Sequence, residues 1–192
     1  MLYVVVFFAT SSYNYSVNKT INIKSKKALK QVEQFKKKNY TPVDIRLQNV
    51  NLKTLNKIIM FDLFDKNDLF INSTTLWELM QPIGDSGSHN YHGLLPEDIL
   101  DALNSLETPN YILKVKQDRY AIIPVTISSY NEPLMVIVEI GGALIKNKNA
   151  NINRVVTIYP KSDIEDMVNK MKTEDILFNK KMSINSGSNC RH

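Results

Sequence analysis

The sequence predicts an α+β protein in which a basic ββαβ module precedes helices and an antiparallel meander. Three observations carry this prediction. Lysine and arginine are concentrated in the first sixty residues. Within that segment, strand-like runs flank a stretch with helical apolar spacing. Further along, four strand-like runs separated by turn residues occupy most of positions 111–159. We expect a basic module at 1–60, a second domain of helices and strands at 61–182, and a flexible tail at 183–192.

Length and composition indicate a folded protein with one substantial core or two small ones. The chain has 192 residues, of which 43% are hydrophobic and 22% charged. The apolar run Leu2–Ala9 is too short for a membrane span and lacks the basic stretch that precedes a signal-peptide core, so it predicts a buried strand. The single cysteine, Cys190, cannot form an intramolecular disulfide. These features favour a cytoplasmic protein without a membrane partner.

Charge is distributed unevenly along the chain. Residues 1–60 contain eleven Lys or Arg and two acidic residues, a net charge of +9, whereas residues 61–192 contain thirteen and seventeen, a net charge of −4. Charge of one sign in one segment attracts polyanions, so the N-terminal segment is expected to contact nucleic acid or an acidic protein face. The alternative is a solvated lysine-rich surface.

The N-terminal module has a readable local pattern. Tyr3–Phe8 and Tyr15–Ile23 are predicted strands, and Ser25 can cap a helix that ends near Asn39. A Thr-Pro break separates this helix from a third strand at Val43–Leu47. Most lysines of the helix lie off its apolar stripe and can face a partner. The candidate nucleic-acid-binding residues are therefore Lys26, Lys27, Lys30, Lys36, Lys37 and Lys38.

The middle of the chain is predicted to contain two helices. Apolar residues between Leu52 and Leu63 recur at helical spacing. Thr75 and Glu78 have capping-box spacing, so a short helix begins there and ends before Pro82, with Trp77 in the core.

Two groups of side chains in this region were weighed as metal ligands. Three aspartates within residues 62–68 are spaced three apart, but the glycine and the final glutamate of a calcium loop are missing. His89 and His92 have a zinc-compatible spacing, but the other candidate ligands, Cys190 and His192, lie far away at the C-terminus. We predict no metal and no cofactor.

The C-terminal half is predicted to be a helix followed by strands. Pro96 suits the first turn of a helix that buries a leucine-rich stripe from Leu95 to Leu106 and stops near Thr108. Pro124 lacks a backbone donor, so its strand is expected to be an edge strand or bulged. The predicted strands are Tyr111–Val115, Arg119–Ile127, Leu134–Ile140 and Arg154–Tyr159; a helix from Ser162 or Asp163 to Met171 and a short strand at Ile176–Phe178 follow.

Three segments carry a resemblance to a known family. They are His92-Gly-Leu-Leu-Pro-Glu, Thr108-Pro-Asn-Tyr-Ile-Leu-Lys114 and Arg154-Val-Val-Thr-Ile-Tyr-Pro-Lys161, in this order. Over about residues 90–178 the chain resembles the phage-associated nuclease domains of the barnase, EndoU, colicin and RelE-like (BECR) superfamily. The resemblance implies helices packed on a four-stranded antiparallel sheet. It also implies metal-free RNA cleavage by attack of the ribose 2′-hydroxyl on the adjacent phosphate, in a protein of a phage or mobile element acting in the host cytoplasm.

This reaction requires a base, an acid and groups that stabilise charge at the phosphate. His92 is the best candidate for the base or acid because its ordinary pKa is near the working pH, and His89 is the second choice. Lys161 or Lys114 would be the cation at the phosphate. Thr157 and Tyr159 alternate along one strand and would share a face with Lys161. The alternative is that these three residues form the ordinary solvent-facing side of a sheet.

The sequence therefore predicts a metal-independent endoribonuclease whose partners are RNA or other nucleic acid and an immunity or target protein. A second hypothesis is a catalytically inactive inhibitor that binds nucleic acid or protein through the basic module. A third is a structural accessory module of phage proteins.

Overall fold

The computed structural model describes residues 19–37, 41–64, 66, 68–83, 91–145 and 147–181. The strand predicted at Tyr3–Phe8, the start of the strand predicted from Tyr15 and the predicted tail lie outside these residues. The strands are β1 (Lys19–Asn22), β2 (Asp44–Gln48), β3 (Leu69–Asn72), β4 (Pro109–Lys116), β5 (Arg119–Pro124), β6 (Leu134–Gly142), β7 (Ile152–Pro160) and β8 (Ile176–Asn179). The α-helices are α1 (Ala28–Glu33), α2 (Leu52–Ile59), α3 (Ser73–Leu79), α4 (Pro96–Asn104) and α5 (Ile164–Lys170), with 3₁₀ turns at Gln34–Lys36 and Thr173–Asp175.

These strands form one mixed sheet, in the order β1-β2-β3-β7-β6-β5-β4-β8. β1 and β2 are parallel, as are β3 and β7, and the other neighbours are antiparallel. The α+β prediction is confirmed, but the prediction of a four-stranded antiparallel sheet is wrong. The expected meander is present as β4–β7, and each of its two edges is extended by a further strand, β3 on β7 and β8 on β4. These strands satisfy backbone groups that an open edge would leave unpaired.

The N-terminal basic segment joins this sheet. β1 and β2 are parallel because α1 crosses between them. α1 buries Ala28 and Val32, and the 3₁₀ turn after it buries Phe35, as the helical spacing predicts. The pairing of β2 with β3 carries the sheet past position 60, so both predicted segments contribute strands to it.

The sequence does not predict β3. It is only four residues long and follows a polar stretch, so its apolar run is too short to show a period. The side chain of Asn72 at its end accepts a hydrogen bond from the Thr74 amide at 2.7 Å. This cap makes α3 begin at Ser73, two residues before the predicted start.

Three other positions differ from expectation. Trp77 is half-buried, with its ring edge against Tyr91 at 5.6 Å between centroids, and is not a core residue. Leu95 is 46% exposed because it precedes α4 instead of lying on its buried stripe. Pro124 belongs to an interior strand, so the edge alternative is wrong, but the β4–β5 register is irregular between its pairing with Pro109 and that of Ile123 with Tyr111, as the bulge alternative expects.

Helices cover the two faces of the sheet unequally. α1 to α4 pack on one face and share the main core with β1, β2, β3 and the meander. On the other face, α5 covers a patch of the meander, and Leu144 and Ala150 cover Phe70 of β3. α2 also contacts β8, although β2 and β3, its neighbours in sequence, lie toward the opposite end of the sheet. The sheet therefore curls around the helices. No helix in the described ranges is long and apolar enough to cross a membrane.

Candidate active site

His92 lies in the connection between α3 and α4, and hydrogen bonds hold the backbone directly after it. The amide of Gly93 donates to the carbonyl of Gln81 at 2.7 Å, and the amide of Leu94 donates to that of Leu79 at 2.9 Å. The Tyr130 hydroxyl donates to the Gly93 carbonyl at 2.9 Å. Gly93 has a φ of +62°, which a residue with a Cβ adopts only with strain. The connection therefore presents His92 from a defined backbone position.

The His92 side chain contacts two of the residues predicted to share its site. Its Nε2 lies 3.2 Å from Thr157 Oγ1. Its ring centroid lies 5.4 Å from that of Tyr159, with the planes inclined by 32°. The imidazole is half-buried, and burial lowers its pKa from the ordinary 6.5, so it is neutral at neutral pH. A neutral imidazole can accept a proton.

The opposing side of this cluster comes from β7. Thr157 pairs with Ile137, and Tyr159 pairs with Met135, so the two side chains share a face as predicted from their spacing. An irregularity in the β6–β7 register immediately before Thr157 leaves Val156 without a partner on β6, as in a β-bulge. Bulges re-aim neighbouring side chains, and this one directly precedes the residue that contacts His92.

Tyr159 and Lys161 have defined protonation states. Burial raises the pKa of the Tyr159 hydroxyl. The charge of Lys161 lowers this pKa, and the charge of Asp163 raises it, both less than burial does. Lys161 lies just after β7, with its amide bonded to the Pro133 carbonyl and its ammonium 2.6 Å from Asp163. The hydrogen bond to Asp163 raises the pKa of Lys161. The phenol beside the His92 imidazole is therefore neutral, and Lys161, paired with Asp163, lies near that phenol as a cation.

One carboxylate at the start of α4 holds this region together, a role that the sequence does not reveal beyond its favourable place in the first helical turn. Asp98 is buried and accepts hydrogen bonds from the Leu95 amide at 3.1 Å, the Ser129 amide at 2.7 Å and the Ser129 hydroxyl at 2.8 Å. It joins the start of α4 to the loop that bears Tyr130. Its position three residues after Leu95 is a helix-capping signal, but its contact with Ser129 depends on the tertiary fold.

The other predicted site residues lie elsewhere. Lys114 is exposed on β4, and β5 and β6 separate it from β7, a distance of about 14 Å at the usual strand spacing. It is not brought to His92. His89 and Lys38 lie outside the described residues. The remaining α1-region lysines, called here the α1 lysines, are exposed and form no ion pair with the described part of the chain: Lys26, Lys27, Lys30, Lys36 and Lys37.

Among the described residues, no group of three or more His, Cys, Asp or Glu side chains is placed to hold a metal ion. Asp62 is instead near the Asn56 side chain, and Asp68 is paired with Arg46. Comparison of the chain with protein-family models, with curated proteins and with solved structures gave no match in any of the three.

Proposed function

We propose that the protein is a metal-independent endoribonuclease with His92 as its general base. The observation that carries the proposal is the convergence of His92 with Thr157 and Tyr159, which are distant in sequence and are the residue types that the chemistry requires. An ordinary solvent-facing strand would not need a half-buried histidine against it.

The contact with Thr157 is compatible with a tautomer that leaves one imidazole nitrogen for the substrate. If Nε2 carries the proton and donates a hydrogen bond to Thr157 Oγ1, Nδ1 keeps a lone pair that can accept a proton from the substrate. Nδ1 then removes the proton of the ribose 2′-hydroxyl, whose oxygen attacks phosphorus. The bond from phosphorus to the 5′-oxygen breaks and leaves a 2′,3′-cyclic phosphate.

Tyr159 and Lys161 supply the remaining requirements. The Tyr159 phenol is protonated at neutral pH, since its pKa is raised from an already high ordinary value, and it acts as the general acid. It transfers its proton to the departing 5′-oxygen, which leaves as an alcohol, and the phenolate then recovers a proton from solvent. Lys161 provides positive charge near the phosphate, moderated by Asp163.

The test is incubation of the purified protein with a mixed RNA pool in excess EDTA, followed by identification of the fragment ends. We expect 2′,3′-cyclic phosphate ends from the wild type and a loss of cleavage of about 100-fold or more in His92→Ala, since a general base contributes at least that much. Thr157→Val keeps the side-chain shape but removes the hydroxyl, so it should slow cleavage less than His92→Ala does.

His89→Ala is the matched control because it makes the same change at the neighbouring histidine. It should cleave like the wild type. Intact RNA with the wild type, or equal losses in the two histidine variants, would refute the assignment of His92 as the base.

A second candidate function is binding of nucleic acid or an acidic protein without cleavage, through the α1 lysines. The observation in its favour is that these ammonium groups are exposed and unpaired in the described structure. It predicts salt-sensitive binding that charge neutralisation of these lysines abolishes, with no cleavage.

A further inference from the structure

A row of charged side chains crosses the sheet beside the patch that α5 covers. In the strand register, Lys116 is opposite Arg119, Arg119 is opposite Glu139, and Glu139 is opposite Arg154. Opposed residues project to the same face of a sheet, so β4 to β7 place these four side chains in one line. The line spans about 14 Å at the usual strand spacing. We call these four residues the cationic row.

Glu139 holds the two arginines of the row in place. Its Oε2 accepts from Arg119 Nη2 and from Arg154 Nη2, both at 3.2 Å. Both arginine side chains remain partly exposed, at 40% and 31%, and Lys116 is exposed. Each guanidinium has five N–H donors, so donors remain available to an incoming ligand. Cations outnumber carboxylates even when Asp118, in the adjoining turn, is counted.

The row ends where β3 is covered. Phe70 lies opposite Arg154 on β3, but it is buried under Leu144 and Ala150. Arg46, beyond Phe70 on β2, is paired with Asp68 at 2.5 Å. The accessible positive surface therefore runs from β4 to β7 and stops there.

The β7 end of the row lies close to His92. Arg154 precedes Thr157 by three residues, about 10 Å along a strand. Thr157 pairs with Ile137, which is two residues from Glu139 on β6, so Thr157 and the row are on the same face. A single-stranded nucleic acid bound along the row would reach the contact between His92 and Thr157 within a few nucleotides.

We propose that the cationic row binds the phosphates of single-stranded RNA and guides the strand to His92, an inference that takes the identity of the polymer from the proposed function. Guanidinium groups fit phosphate oxygens through paired N–H donors, and arginines already oriented by Glu139 lose less side-chain freedom on binding. An open sheet surface with several cations also suits a single strand, whose backbone it can follow.

The experiment measures binding of a fluorescent, fully 2′-O-methylated single-stranded RNA, which cannot be cleaved, by anisotropy over a range of salt concentrations. We expect the double variant Arg119→Gln/Arg154→Gln to bind more weakly and to lose roughly one unit of salt slope per arginine. Glu139→Gln should bind more tightly than the wild type, because it removes the carboxylate that competes with phosphate. Lys57→Gln, which removes one positive charge on α2 at the other sheet face, should have little effect.

Tighter binding by Glu139→Gln separates a phosphate-binding row from a purely structural ion pair, and circular dichroism checks that the variants fold. Should the arginine variant misfold, Glu139→Gln still decides the question. If RNA binding depends on the row but the protein cleaves no RNA, the proposed role of the row is supported and the proposed nuclease function is refuted. The row is refuted if the wild type does not bind, if Glu139→Gln binds no more tightly, or if only the α1 lysines affect binding.

Discussion

The α1 lysines and the cationic row are both basic, but they differ in what holds their charges. The lysine ammonium groups are exposed and form no ion pair within the described residues, whereas Glu139 fixes two guanidinium groups at 3.2 Å each. A free lysine loses side-chain entropy when it binds a phosphate, and an oriented arginine loses less. The densest charge in a sequence is therefore not automatically the best-ordered binding surface.

The two regions also differ in their relation to His92. α1 packs with the helices on one face of the sheet, while the cationic row lies on the face of Thr157. The row can act in the same reaction as His92 only if the His92 connection stays fixed relative to β7. Three predictions test this contrast, beginning with the largest effect.

The first prediction concerns Asp98, whose hydrogen bonds join the start of α4, just after His92, to the loop of Ser129. Asp98→Ala leaves the donors of Leu95 and Ser129 without their acceptor, so we expect a loss of roughly 3 kcal/mol in the free energy of unfolding. Urea denaturation measures this loss. Asp101→Ala, a change at an exposed acid on the same helix, should alter stability by about 0.5 kcal/mol or less. Equal effects in the two variants would show that Asp98 is not a brace.

The second prediction concerns the protonation of His92. Its pKa in the folded protein is lowered below 6.5 by burial, so the unfolded chain binds the proton more readily. The resulting stability is fully present above pH 6.5 and is lost as the pH falls through the folded-state pKa. His92→Gln should lack this part of the pH dependence, measured by urea denaturation on both sides of pH 6.5.

Cleavage provides a second readout of the same group. Its rate should rise with pH through a value below 6.5 and then level off, because the base must be neutral. A midpoint above 6.5 would contradict the burial of His92.

The third prediction, with the smallest effect, concerns the α1 lysines. The triple variant Lys26→Gln/Lys27→Gln/Lys30→Gln should change stability by about 0.5 kcal/mol or less, because the side chains are exposed and unpaired in the described structure. Its RNA cleavage rate at constant salt should remain near that of the wild type. A loss of cleavage larger than that of the Arg119→Gln/Arg154→Gln variant in the same assay would reverse the ranking of the two basic regions.

Elements with long, regular patterns can be predicted from the sequence. α4 begins at Pro96 as expected, and the four strands of the meander occur where alternating and β-branched residues predict them. β3 was not predicted because a strand of four residues is too short to show an alternating apolar pattern. His92, Thr157 and Tyr159 were identified as candidates from residue type, spacing and resemblance.

The way in which these elements meet depends on contacts that form only in the folded chain. The 3.2 Å contact of His92 with Thr157 depends on backbone bonds to Gln81 and Leu79 and on a register irregularity in β7. β5 and β6 lie between Lys114 on β4 and that site on β7. The strand register places Glu139 opposite two arginines, Arg119 and Arg154. Local periodicity is set by consecutive residues and can be read from them. Strand order and register are set by backbone groups far apart in the chain, so no local pattern reveals them.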